Sequence, residues 1–300
     1  MKKFEVVCFG SAIIDAFLKV DLKEENKNLL IRSGSKILMK ELHFDVGGGG
    51  ANTSVAFSRL GLKTGYIGKT GDDKHADRIL SLLKKERIKF LGEKIKGNTD
   101  GFSVILESKR LNRSIMTYKG INDEIDYKKI KKFKTKWLYL SSMMKKSFQA
   151  QIKLAKKLKG KKTKIAFNPS EYLIRNVNLK PLIKLCDVLI LNKEEADLLT
   201  KEKDKLKGIS KMGPKIVVIT NEGKTVYCYN SCEGKIYSVN PRKTTVVEKT
   251  GAGDAFASGF VAGLIKNKSI KYCLNLGLRE SQAVIQHVGA QNNLIRMKLK

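Results

Sequence analysis

Short apolar runs alternate with segments of helical periodicity along this chain, and that alternation constrains its fold more than any other feature. The runs are Val6–Phe9, Tyr66–Ile67, Trp137–Leu140, Ile165–Phe167, Val188–Leu191 and Ile216–Ile219. Between them the spacing predicts helices over Ala51–Leu60, Asp73–Lys85, Ser147–Leu158, Glu194–Leu199 and Ala255–Ile265. Strands that are apolar at nearly every position are buried on both faces, which requires helices on both sides of a mostly parallel sheet. The expected class is therefore α/β with a doubly wound central sheet. Thr225–Tyr229 and Ile236–Val239, joined by Asn230–Gly234, read as an added antiparallel hairpin. Two polar, strand-rich segments, 16–42 and 101–120, break the alternation and are candidates for a small β-sheet standing off the main body as a lid.

At 300 residues and 42% apolar content, the chain can bury a large core and reads as a single domain over 1–300. No apolar run approaches the length of a membrane span. The start, Met1 to Gly10, reads as a first strand rather than a signal peptide, so the expected location is cytoplasmic. Five scattered cysteines argue against a disulfide framework, and the three histidines share no metal-ligand spacing. The formal charge is +31, from 60 Lys and Arg against 29 Asp and Glu. Such a field attracts polyanions, but the lysines are spread along the polar faces of predicted helices with no arginine-rich or aromatic stripe. No specific nucleic-acid partner is expected.

The chemistry is concentrated in Thr250-Gly251-Ala252-Gly253-Asp254-Ala255-Phe256. A helix that begins at Gly251–Gly253 presents unpaired N–H groups and the positive end of its dipole, which suits an anion such as phosphate. Asp254 beside it could take a proton from an attacking hydroxyl. Anion hole plus base is what phosphoryl transfer to an alcohol needs.

Other candidates each have a plain structural reading beside the functional one. Gly47-Gly48-Gly49-Gly50, before Ala51-Asn52, leaves the backbone bare for a ligand or for tight packing. Asp15, after the first strand, could bind a polyol or serve as a cap or turn residue. Asn192 and Glu195 share a face at a helix start, able to hold Mg²⁺ through water or simply to cap the helix.

Together these pieces resemble the ribokinase-like (PfkB) carbohydrate kinases. Gly47–Asn52 through Gly61, Gly68 and Gly71-Asp72-Asp73 is similar to the N-terminal signature of that family, Val246–Phe256 to its C-terminal signature, and Asn192/Glu195 to its Asn-x-x-Glu element. The resemblance runs from about Val6 to Ala290. It implies ATP-dependent transfer of the γ-phosphate to a hydroxymethyl group of a sugar or nucleoside. Asp254 would be the base, and the N–H groups of Gly251, Ala252 and Gly253 the anion hole. Asp15, Gly47, Gly48 and Asn52 would hold the acceptor. Asn192 and Glu195 would organise Mg²⁺ and the phosphates, and Thr220 and Gly223 would lie along ATP. A homodimer through the lid is common in such proteins.

The chain departs from the pattern in three places. Glu248-Lys249-Thr250 stands where relatives commonly carry Asp-Thr-Thr. In ribokinases that Asp helps bind a monovalent cation, which makes Glu248 the candidate ligand for K⁺, with a new lysine beside it. The usual glycines of the nucleotide loop are displaced in Thr220–Thr225. Gly49 stands where ribokinases often have a lysine. A sugar is the first expectation for the acceptor and a nucleoside such as adenosine the alternative. A basic nucleic-acid-binding protein on a kinase-like scaffold is a reading of a different class, resting on the charge alone.

Overall fold

The computed structural model describes residues 2–26, 28–97, 100–108 and 113–299. Parts of the two lid segments, Lys27 and residues 109–112, lie outside the described residues.

The apolar runs form one nine-stranded sheet. In spatial order it comprises Lys235–Val239, Val226–Asn230, Ile216–Thr220, Val188–Asn192, Lys164–Asn168, Lys134–Ser141, Lys3–Phe9, Thr64–Ile67 and Lys89–Phe90. All neighbours pair in parallel except the last hairpin, whose two strands add antiparallel at one edge. Period-two alternation sorts the strand side chains. Phe9, Leu138, Leu140, Phe167, Leu189 and Val217 face the helix Lys145–Lys159 and its neighbours. Val6, Cys8, Tyr139, Ala166, Ile190 and Val218 face helices carrying Phe57, Phe260 and Leu274. Both faces are covered, as uninterrupted apolar strands require. Among the described residues no helix is long and apolar enough to cross a membrane.

The helix Ile270–Val284 was not apparent from periodicity, although Ser269 caps it by accepting from Tyr272 N. It packs on Ala252–Ile265 through glycines. A Cβ on Gly259 would come within 2.9 Å of Gly277 Cα, and one on Gly277 within 2.8 Å of the Phe256 carbonyl. Gly259 and Gly263 thus allow a close helix crossing, in place of the apolar stripe that would hold helices further apart.

A second, four-stranded sheet orders Arg113–Tyr118, Gly101–Glu107, Ile13–Val20 and Met39–Gly47. Its first strand begins at Ile13, earlier than the sequence suggested, so Asp15 lies inside a strand, opposite Asp45 and Ser103, and not at a cap or turn. Ile14 and Val46 pack under the helices Gly49–Arg59 and Lys74–Lys85, while Leu42, Phe44, Ile115, Met116 and Tyr118 are exposed.

Candidate active site

Two helices begin at glycines with positive φ and converge. Gly48 (φ 91°) precedes Gly49–Arg59, and Gly251 (φ 81°) precedes Ala252–Ile265. Asp254 sits in the first turn of the second helix. Its Oδ2 accepts from Asn52 Nδ2 of the first helix at 2.9 Å. Asn52 is itself oriented, because its Oδ1 accepts from Gln291 Nε2 at 3.0 Å, and Gln291 Nε2 also donates to the Val46 carbonyl at 2.8 Å. With Oδ1 committed to a donor, the amide of Asn52 turns its own donor toward Asp254. Desolvation raises the Asp254 carboxyl above its ordinary value, and the Asn52 bond partly offsets that by favouring the charged form.

The amides at the helix start are not all equivalent. Ala252 N donates back to the Lys249 carbonyl at 3.2 Å. The N–H groups of Gly251, Gly253 and Asp254 have no acceptor among the described residues. Of the three residues expected to form an anion hole, Gly251 and Gly253 therefore have free donors while Ala252 closes the turn. A Cβ on Gly251 would lie 2.6 Å from Ala290 Cβ, whereas one on Gly253 meets nothing within 4 Å.

The glycine run resolves mostly as packing against its own chain. A Cβ on Gly47 would overlap the Asp15 carboxylate, one on Gly48 would lie 2.7 Å from the Ser11 carbonyl, and one on Gly50 would lie 2.5 Å from Gly10 C. Gly49 is the member that lines a cavity. Asp15 is 5% exposed. Burial pushes its carboxyl up to about 7, and the charges of Asp45, Glu248 and Asp254 add to that shift while the Ser103 hydroxyl opposes it.

Two cavities meet at the start of the second helix. The larger, about 640 Å³, is lined by Thr220–Lys224, Pro241–Thr244, Phe256, Leu278 and Ile285, among others. The smaller, about 350 Å³, takes in Ser11, Gly49, Ser141, Asn168, Glu195, Gly251 and Asp254. Arg113, Asn192, Thr220, Lys249 and Gly253 line both. Asp15, Gly47, Gly48 and Asn52 line neither, although Asn52 bonds the catalytic candidate directly.

Asn192 and Glu195 form a full capping box at Lys193–Leu199. Asn192 Oδ1 accepts from Glu195 N, and Glu195 Oε2 accepts from Asn192 N, each at 2.8 Å. The capping reading is thus correct, and it is compatible with a ligand role, since capping fixes both side chains where they line the cavity. Burial pushes the Glu195 carboxyl up to about 7. Thr220 ends its strand with Oγ1 3.4 Å from the Leu191 carbonyl, and Gly223 (φ 65°) forms the turn that follows, open on the cavity side.

Sequence reasoning missed Arg113, Gln291 and Lys119. Arg113, from the second sheet, reaches Glu248 and Thr250 across more than 130 positions, so local pattern could not reveal it. Lys249, noted in the sequence as an intruder, lines both cavities and pairs with Glu222.

A nine-stranded sheet carrying a smaller sheet, with two cavities joined at a glycine-started helix, is a ribokinase-like α/β fold. The solved structure of a probable sugar kinase from Rhizobium etli superposes with TM-score 0.84 at 21% identity, over 98% of this chain and 97% of that one. The pfkB family carbohydrate kinase profile matches residues 3–296, and the chain belongs to that family. It is 28% identical over 251 residues to an uncharacterised sugar kinase of Archaeoglobus fulgidus, covering 81% of this chain and 99% of the relative. It is also 28% identical over 306 residues to 5-dehydro-2-deoxygluconokinase of Clostridium perfringens, covering 92% and 85%. By family it is thus a kinase, a phosphotransferase with an alcohol group as acceptor.

Proposed function

We propose that ATP occupies the larger cavity, that the sugar lies against the second sheet beside Asp254, and that the γ-phosphoryl group crosses where the cavities join. The observation that carries this reading is the position of Asp254. It lies one residue beyond the free Gly253 amide, at the edge of the smaller cavity, with its carboxylate fixed by Asn52.

In this mechanism the attacking hydroxyl gives its proton to Asp254 as its oxygen bonds to the γ-phosphorus, and ADP leaves. The raised carboxyl of Asp254 favours accepting that proton. The N–H groups of Gly251 and Gly253 face the charge that develops on the transferred group. In this reading Asp15 takes hydroxyls of the acceptor, with Gly47 and Gly48 keeping the backbone close to it. Thr220 and Gly223 follow the nucleotide, and Asn192 and Glu195 face its phosphates.

Among the described residues no group of three His, Cys, Asp or Glu side chains could hold a metal ion. In this reading Mg²⁺ would be carried on the phosphates and held by Glu195 through water. When bound, Mg²⁺ neutralises phosphate charge. The second sheet acts as a lid that excludes water. Its exposed Leu42, Phe44, Ile115, Met116 and Tyr118 offer a surface for a second copy, testable by light scattering.

An ADP-release screen across pentoses, hexoses, sugar acids and nucleosides tests the function. Sugars are expected to give the highest kcat/KM, and Asp254→Asn to lower kcat by about 10²–10⁴. Near-normal turnover in that variant would refute the assignment of the base.

A further inference from the structure

The family resemblance makes Glu248 a ligand for a monovalent cation, and the residues around it do not fit one. Glu248 is 5% exposed. A carboxylate buried to that degree must be neutralised. Its Oε1 already accepts from Arg113 Nη1 at 2.5 Å, Thr250 N at 2.8 Å and Thr250 Oγ1 at 2.6 Å. Arg113 Nη1 lies a further 3.0 Å from Thr250 Oγ1, so guanidinium, hydroxyl and carboxylate form one closed cluster. The unit charge of Glu248 is matched by Arg113. Next to it, Lys249 is matched by Glu222. A K⁺ ion here would add an unmatched positive charge beside a guanidinium and find one free carboxylate oxygen, Oε2, which is buried without a hydrogen-bond partner. Repulsion between such an ion and the guanidinium opposes its binding.

We propose that the Arg113 guanidinium does the work of the monovalent cation, so that this kinase holds its phosphate-binding turn without K⁺. Arg113 begins the strand Arg113–Tyr118 of the second sheet, opposite Glu107. Glu248 and Thr250 lead directly into Gly251, whose amide faces the phosphate. The cation therefore arrives with the sheet. When the sheet is docked, Arg113 fixes the Glu248–Thr250 turn and orients the Gly251 and Gly253 donors; when it lifts, the turn loses its counter-charge. Arg113 is a positioning residue here, acting through Glu248. A permanent, directional guanidinium suits this role better than an ammonium, because one nitrogen serves both carboxylate and hydroxyl.

The proposal rests on the sugar-kinase reading, and its test does not depend on knowing the acceptor. Binding of Mg·AMP-PNP is measured by calorimetry in KCl and in tetramethylammonium chloride at equal ionic strength, so that screening is constant. The wild-type protein is expected to bind equally well in both. Arg113→Ala is expected to bind about tenfold more weakly in tetramethylammonium chloride, the cost of a lost charge-assisted contact, and to recover in KCl or millimolar guanidinium chloride. A purely structural role for Arg113 would not respond to either ion. Should Arg113→Ala not purify folded, Arg113→Gln, which keeps polar bulk without charge, carries the same comparison. Wild-type binding that strengthens markedly in K⁺ would overturn the proposal and leave the kinase reading standing, as would an arginine variant that binds like wild type without K⁺. No nucleotide binding by any protein in either salt would refute both.

Discussion

Replacing Gly251 and Gly253 separately by alanine distinguishes a glycine required by packing from one facing the phosphate. Gly251 has φ 81°, in the left-handed region, and a Cβ there would lie 2.6 Å from Ala290 Cβ and 2.7 Å from Ala290 Cα. The conformation costs an L-residue about 1–2 kcal/mol, and overpacking against a fixed neighbour adds about 1–3 kcal/mol. Gly251→Ala is thus expected to lose about 2–5 kcal/mol, a drop in Tm of roughly 3–8 °C for a chain of this size. Relief of that strain by rotating the turn would misalign the free amides, so kcat should fall as well. Gly253 has no positive φ and nothing within 4 Å of an added Cβ. Gly253→Ala should therefore melt with the wild type while raising KM for ATP, because the methyl projects where both cavities meet. Calorimetry and ADP-release kinetics on the pair check this. A Gly251→Ala protein as stable as wild type, or a Gly253→Ala protein with unchanged KM, would show that the reasoning from backbone geometry is wrong.

The carboxylates give two further tests. Asn52→Ala removes the hydrogen bond that favours charged Asp254, so the acid limb of kcat/KM should move to higher pH; an unmoved limb would remove Asn52 from the role of orienting the base. Asp15 is raised to about 7 chiefly by burial, against about 3.9 for an unfolded aspartate. Between those values the folded chain holds more protons than the unfolded one, so this group makes stability fall as pH rises. Asp15→Asn cannot ionise and should flatten the decline of Tm from about pH 4 to pH 7; Glu195 and Glu280, also raised to about 7, leave a residual slope, and a slope identical to wild type would contradict the burial argument.

Much of the central sheet could be read from sequence because burial on both faces leaves a local record, an apolar residue at every position. The small-residue run before Asp254 was legible for the same kind of reason, since a left-handed turn and a bare helix start admit few residue types. What could not be read depends on contacts between distant segments. Gly47, Gly48 and Gly50 looked available to a ligand, but the close approach they permit is to Asp15, Ser11 and Gly10. The helix Ile270–Val284 was obscured because Gly277 interrupts its apolar face at the point where it crosses Gly259. Gln291 and Arg113 carry no local signal at all; one acts through the amide of Asn52 and the other through a carboxylate in the loop before Ala252–Ile265.

Those distant contacts resolve an electrostatic problem that the sequence leaves open. Asp15 feels the charges of Asp45, Glu248 and Asp254 as well as burial, so acidic groups crowd a site that must also accept a polyanionic nucleotide. Two helix starts, at Gly49 and Ala252, turn their positive ends toward this region. Arg113 neutralises Glu248 and Asn52 supports the charge of Asp254. Among the described residues Asp15 has neither a guanidinium nor an amide on its carboxylate, and is the member left to be relieved by protonation or by hydroxyl donors. A polyol supplies such donors without adding charge, whereas an anionic acceptor would need a cation. One candidate is Lys119, which lines the smaller cavity and whose ammonium pairs with none of the described residues. The acceptor's charge should therefore be decided between Asp15 and Lys119: a neutral sugar depends on the first alone, and a sugar acid on both.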